Sequence, residues 1–333
     1  MNIAIIGAGL IGKKRARALP KGVNLRVVCD VDREKAVKFS REFRCESESD
    51  WRKVVADPLI EAVIISTPNK YLSVIALGAI KHGKHALIEK PGAKNLKGLQ
   101  EITRAYRKRK VVVMFGYNHR YHPAIDKAKK LIDSKKYGGV LFIRAKYGHG
   151  GRLGYEKEWR FNKDISGGGE LLDQGSHLID LVNYFCGALK YHGSYTDTLF
   201  WKTKLEDTAF VTLKGNKTAA SLSASCVEWK NLFCFEIILK TAKIQIDGLG
   251  GSYGEERLAL YKMSPQMGPP EVMEFNFQDE DLSWKKENEI FFKRIRLGDF
   301  SDYALREAEY VLRIIEQAYT NRTYAIGCSS RRE

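Results

Sequence analysis

Short apolar runs alternate with amphipathic stretches through the first third of the chain. Asn2 to Ile6, Asn24 to Cys29, Ala62 to Ser66, His85 to Glu89 and Val111 to Gly116 read as buried strands. Between them, Lys13 to Leu19, Arg33 to Phe43, Leu72 to His82 and Leu96 to Arg107 carry the three- and four-residue spacing of helices. Strands separated by helices pair in parallel through crossovers, so this part is expected to be an α/β, doubly wound parallel sheet of the Rossmann kind.

From Gly139 the pattern changes to longer β-type segments at Val140 to Tyr147, Ser194 to Trp201, Thr208 to Lys214, Ala219 to Glu228, Phe233 to Lys240 and Lys243 to Asp247. They predict one mostly antiparallel sheet in an α+β second domain. A helix at about Glu170 to Phe185 interrupts them. Tyr303 to Tyr319 closes the pattern, with Leu305, Ala308, Val311, Leu312, Ile315 and Ala318 on one face. The boundary falls near Asn118 to Tyr121, giving domains 1–118 and 119–333, with the last helix free to pack back on the first domain.

Composition changes this picture little. A length of 333 residues suits two domains, and 44% hydrophobic with 29% charged residues is ordinary for a globular chain. No run approaches the roughly 18 apolar residues of a membrane span, and Met1-Asn2-Ile3 enters a strand pattern directly, so a cytoplasmic protein is expected. Cys29, Cys45, Cys186, Cys226, Cys234 and Cys328 lack paired metal-type spacing and read as reduced thiols, with no metal site. The formal charge of +16 reads as a lysine-rich surface, because no nucleic-acid-binding signature accompanies the basic runs.

Gly7, Gly9 and Gly12 form G-x-G-x-x-G directly after a strand and at the opening of a helix. In that context the first glycine permits the turn, the second admits a pyrophosphate and the third allows close packing. Leu10 and Ile11 lie inside the same loop. Lys13 and Lys14 sit where a diphosphate would compensate them, or simply face water. Asp30 ends the second strand at the spacing of a ribose-binding carboxylate, which repels a 2′-phosphate and favours NAD over NADP; an N-cap role for Asp30 or Asp32 is the alternative. Ser66-Thr67-Pro68-Asn69 and Glu89-Lys90-Pro91 each follow a strand, at the carboxyl edge where open α/β sheets bind ligands. Asp173, His177 and Asp180 share one helical face, preceded by Gly167-Gly168-Gly169, so His177 reads as an acid/base or as a hydrogen-bonded structural histidine. Tyr117, Arg120, Arg152 and Trp159 complete a candidate substrate set. The cations and aromatics of Tyr147 to Phe161 suit a sugar ring, with a lean towards an anionic derivative.

These ordered motifs, GAGLIG, STPN, EKP and GGGELLDQGSHLIDL, resemble those of the Gfo/Idh/MocA oxidoreductases over essentially the whole chain. The resemblance implies a C-terminal domain with a large open sheet that mediates homodimers or homotetramers. It also implies that Lys90, Asp173 and His177 act on a carbinol carbon of a sugar, inositol or sugar derivative. Either Lys90 or His177 then serves as proton acceptor. One position departs from the family pattern: Leu72 stands where a histidine often follows T-P-N. Non-catalytic, NAD- and sugar-binding regulators of the same fold are the alternative.

Overall fold

In the computed structural model, residues 1–277 and 281–321 are described. The first sheet comprises β1 (Asn2–Ile6), β2 (Asn24–Cys29), β3 (Glu46–Glu48), β4 (Ala62–Ile65), β5 (His85–Glu89) and β6 (Val113–Gly116), all parallel, in the order β3-β2-β1-β4-β5-β6. The order reverses between β1 and β4, which makes the carboxyl ends of those strands the ligand crevice. The intervening helices are α1 (Leu10–Arg17), α2 (Arg33–Phe43), α3 (Trp51–Ala56), α4 (Asn69–Lys81) and α5 (Leu96–Tyr106). Asp32, Asp50 and Asn95 cap α2, α3 and α5 by accepting first-turn N–H bonds. Continuous apolar runs follow from burial on both faces: Ala4 and Ile6 join one core cluster, Ile3 and Ile5 the other.

A 3₁₀ turn at Asn118–Tyr121 leads into α6 (Pro123–Asp133) and then β7 (Val140–Gly148). After α7 (Lys163–Ser166), a π-helical turn at Leu171–Gly175 runs into α8 (Ser176–Cys186). Then come β8 (Lys190–Asp197), β9 (Thr208–Lys214), β10 (Ala219–Ser225), β11 (Leu232–Leu239), β12 (Ala242–Asp247), β13 (Glu256–Lys262) and β14 (Glu271–Phe277). They form an eight-stranded sheet with β7, ordered β14-β13-β12-β11-β7-β10-β9-β8, antiparallel except where β10 meets β7. One face is buried through Ile143, Ala145, Phe233, Phe235 and Ile237, whereas Phe142, Tyr195 and Phe210 remain exposed.

Two helices return to the first sheet. Phe291 and Phe292 of α9 (Ser283–Leu297) close the cluster around Ile3, Ile5 and Leu87, and α10 (Tyr303–Thr320) lies against α5, β6, α8 and β8. The expected strand from Ser194 to Trp201 instead starts at Lys190 and stops at Asp197. The buried Asp207 carboxylate accepts the N–H groups of Leu199, Phe200 and Trp201 at 2.8–3.0 Å, which curls that segment out of the ladder. The strand expected to reach Glu228 ends at Ser225. Cys328 lies outside the described residues; the other five cysteines are free thiols.

Candidate active site

The glycine loop is shaped by contacts that exclude side chains. A Cβ on Gly12 would lie 2.0 Å from the Gly7 carbonyl oxygen, and one on Gly7, whose φ is +112°, would lie 2.5 Å from the Ser66 carbonyl oxygen. Gly9 has nothing within 4 Å and opens α1 without a side-chain cap. That open surface beside first-turn N–H groups fits a diphosphate. Leu10 is exposed and Ile11 half-buried beside it. Asp30 braces the loop: Oδ2 accepts from the Ala8 N–H at 2.8 Å and Oδ1 from the Asp32 N–H at 3.0 Å. Asp32, not Asp30, caps the helix.

The β4 edge supplies Ser66, whose hydroxyl donates to the Gly7 carbonyl at 2.9 Å, and Thr67, whose buried Oγ1 finds no partner among the described residues. Pro68 opens α4, and the Asn69 amide donates to the Ser166 carbonyl at 2.9 Å. Leu72 lies fully buried in the core, away from polar chemistry.

Adjacent residues after β5 face different partners. Glu89, expected beside the cofactor, turns its carboxylate to the fully buried Arg15, which also meets Glu287 at 2.6 Å and Asn288 at 3.1 Å. Lys90, followed by a cis peptide bond to Pro91, reaches the other way. Its ammonium donates to the Asp173 carbonyl at 2.8 Å and to the Asp173 carboxylate. Arg160 Nε donates to the second carboxylate oxygen at 3.1 Å. Burial alone would raise the Asp173 pKa, but Lys90 and Arg160 hold it below the ordinary carboxylate range.

His177 is buried, and its Nδ1 has no hydrogen-bond partner among the described residues. Burial, followed by the charges of Lys90 and His122, pushes it well below the ordinary histidine pKa, so the ring is neutral and able to accept a proton. The Tyr117 ring meets it edge-on at 5.9 Å, and its buried hydroxyl likewise has no hydrogen-bond partner among the described residues. The π-helical turn carries Asp173 just ahead of His177; such turns commonly mark functional sites.

Not every expected residue converges here. Arg120 is clamped in a buried pair, donating to both Asp180 oxygens and to Glu307, so this guanidinium holds α8 and α10 together instead of facing a substrate. Arg152 is exposed and pairs with Glu158, while Trp159 lines a narrow cleft beside Asn69, Glu170 and Asp173. His119 and His122 were not among the residues singled out from the sequence, and Arg160 was placed in the substrate-covering stretch without a partner named for it. Their signal was the N-H-R-Y-H-P run after β6 and the cationic, aromatic stretch before Asp173.

A dinucleotide crevice beside a lysine, carboxylate and histidine defines an oxidoreductase-type Rossmann protein. Comparison with known families specifies it further. The model described as "Oxidoreductase family, NAD-binding Rossmann fold" matches residues 1–117, and the "GFO/IDH/MocA C-terminal domain" matches residues 125–245. The chain belongs to the Gfo/Idh/MocA family.

Levoglucosan dehydrogenase of Pseudarthrobacter phenanthrenivorans is 33% identical over 200 residues, 56% of this chain and 51% of that protein. Glucose-6-phosphate 3-dehydrogenase of Bacillus subtilis is 32% identical over 190 residues, 55% of this chain and 53% of that one. These matches thus span about half the length of the curated relatives. In three dimensions, levoglucosan dehydrogenase in complex with NADH superposes with a TM-score of 0.86 at 24% identity, over 97% of this chain and 98% of that one. The fold is therefore shared across nearly the whole length. Among the described residues, no helix is long and apolar enough to cross a membrane.

Proposed function

We propose that this protein is an NAD-dependent dehydrogenase acting on a carbinol carbon of a sugar or polyol. The observation that carries the reading is the Lys90–Asp173 pair held beside a neutral His177 whose Nδ1 has no hydrogen-bond partner among the described residues. Bound NAD would supply the hydride acceptor, held at Gly7, Gly9, Gly12 and Asp30. His177 takes the proton of the substrate hydroxyl while the hydride leaves the same carbon. The Lys90 ammonium, anchored by Asp173, faces the developing alkoxide and stabilises it.

The arginines considered for an anionic sugar already face carboxylates, Arg160 facing Asp173 and Glu158, and Arg152 facing Glu158. That favours a neutral substrate. The exposed Phe142, Tyr195 and Phe210 on the open sheet support assembly of copies through that face. Cytoplasmic residence, with access to the NAD pool, belongs to the same reading.

The test is absorbance at the reduced-cofactor band with levoglucosan, glucose, myo-inositol and glucose 6-phosphate. Turnover with a neutral member, lowered about 10²–10⁴-fold in Lys90→Met and His177→Ala with NADH affinity retained, is the expected result. NADH binding without turnover on any polyol, or normal turnover in His177→Ala, would overturn the assignment.

A further inference from the structure

Two histidine rings lie face to face in this site, and their surroundings differ in kind. His119 and His177 stack with centroids 3.7 Å apart and planes 12° from parallel. Both nitrogens of His119 are engaged, Nδ1 with Asn118 Oδ1 at 3.2 Å and Nε2 with the Tyr147 hydroxyl at 3.0 Å. Asn118 Nδ2 donates to Ser283 Oγ at 2.9 Å, which leaves its oxygen as the acceptor facing His119. This arrangement assigns the His119 proton to Nδ1, with Nε2 as the acceptor facing the Tyr147 hydroxyl, which also meets the Tyr253 hydroxyl. Among the described residues, His177 has no such commitment at Nδ1.

We propose that His119 is a positioning residue: a neutral, tautomer-locked platform whose face fixes the His177 ring and excludes water from it. The inference rests on the reading of His177 as proton acceptor and adds a second imidazole to that machinery. Asn118 and Tyr147 hold the platform by two hydrogen bonds from two separate elements, the turn after β6 and strand β7. The edges of Tyr117 at 5.9 Å and Tyr147 at 6.1 Å close the box around His177.

The charged and titratable groups around the pair act in one direction. Lys90 after β5 and His122 before α6 oppose a positive charge on His177. For His119, burial dominates, and His177, His122, Lys90 and Lys14 of α1 add to it. The carboxylate of Asp173 on the π-helical turn is engaged by Lys90 and Arg160, and the Tyr147 hydroxyl keeps its proton in its buried setting. Burial and these charges hold both rings neutral, and the hydrogen bonds distinguish them: His119 has both nitrogens engaged, whereas among the described residues His177 Nδ1 has no partner.

The experiment combines histidine-labelled ¹⁵N spectra of the NADH-bound protein with pH–rate profiles on whichever sugar of the panel above turns over. In the wild type, His119 is expected as the neutral Nδ1–H tautomer from pH 5.5 to 9. A His119 that protonates before His177, or that shows the Nε2–H tautomer, would overturn the proposal.

In His119→Ala, water reaches His177. Its titration and the acid limb of kcat/KM then move up towards about 6.5, hydride transfer falls on the order of 10- to 100-fold, and NADH affinity stays within about threefold. His119→Phe keeps the flat face, so it retains the low acid limb and recovers most of the rate. Equal loss in both variants with an unmoved limb, or no loss in either, refutes a positioning role. Should His119→Ala fail to fold, His119→Phe and the wild-type spectrum decide. If His177→Ala turns over normally, the acid/base reading falls, and the spectra still report separately whether His119 is locked and shields its neighbour.

Discussion

Replacing Arg15 by Met removes the cation from a site that buries two carboxylates. The guanidinium is fully buried, bonded to Glu89 at 2.7 Å and Glu287 at 2.6 Å, and lies over the Trp284 ring at 4.7 Å. Breaking a buried pair by deleting one partner costs about 3–5 kcal/mol, because the remaining charge stays uncompensated. At roughly 2.1 cal/mol/K per residue, a chain of this length has an unfolding entropy near 0.7 kcal/mol/K, so the melting temperature is expected to drop by about 4–7 °C.

The sign of the pH dependence follows from the carboxylates. Glu287 is already pushed up to about 7, burial outweighing the lowering effect of Arg15. An acid whose folded pKa lies above its unfolded value weighs against the fold increasingly as pH rises from about 4.5 to that folded value. Without Arg15, Glu287 loses the charge that lowers it and moves further up, so the gap between variant and wild type widens from pH 5.5 to pH 8.5. Differential scanning calorimetry on the wild type, Arg15→Met and Arg15→Met/Glu287→Gln measures this. The double variant should recover part of the loss because it carries one buried charge fewer. A drop below 1 °C, or one that is the same at both pH values, would refute the claim that these carboxylates depend on Arg15.

Three further outcomes are expected. Asp30→Ala removes an acceptor that also braces the Ala8 N–H, so calorimetry should show NAD affinity lowered on the order of tenfold and selectivity against NADP reduced; unchanged selectivity counts against the ribose assignment. Gly12→Ala forces the glycine loop and α1 apart, given a Cβ contact of 2.0 Å with backbone, and should weaken NADH binding seen by fluorescence while costing about 1–3 kcal/mol of stability or more. Phe210→Glu on the open sheet face should shift the mass measured by light scattering towards the monomer without altering NADH affinity; a wild type that is itself monomeric removes the assembly reading.

Much of the nucleotide half was legible because β1, β4, β5 and β6 are buried on both faces and so read as apolar runs. β3 escaped notice because it is three residues of Glu-Ser-Glu at a sheet edge. β13 and β14 also lay beyond the pattern; β14 is an edge strand with both faces largely exposed. α9 carries Glu287 and Asn288 on its buried side, where their partner is Arg15, over 270 residues away in the chain, and no local periodicity announces such a pair. The interrupting helix reads as continuous from Glu170 to Phe185, yet it opens with a π-helical turn. Lys90, Asp173 and His177 stood out as candidates from motif spacing, whereas the stack of His119 on His177 exists only because β6, β7 and α8 meet there.

Glu89 and Lys90 show why the E-K-P segment is built as it is. Lys90 faces Asp173 in the π-helical turn that opens α8, and its predecessor Glu89 faces Arg15 of α1, the helix after the glycine loop. The end of β5 is therefore held from both sides by charge-assisted bonds, one reaching α1 and α9 through Arg15, the other reaching the π-helical turn. On the proposed reading, a ligand on the glycine loop would rest on the same helix that carries Arg15, and a substrate hydroxyl beside His177 would meet the ammonium fixed by the other grip. Holding the buried Arg15–Glu89 pair and the partly buried Lys90–Asp173 pair back to back costs desolvation that apolar pairs would not. Their arrangement is understood if the ammonium position must be set to within a fraction of an ångström relative to both helices, since misplacement by about 1 Å is worth on the order of 10²-fold in rate.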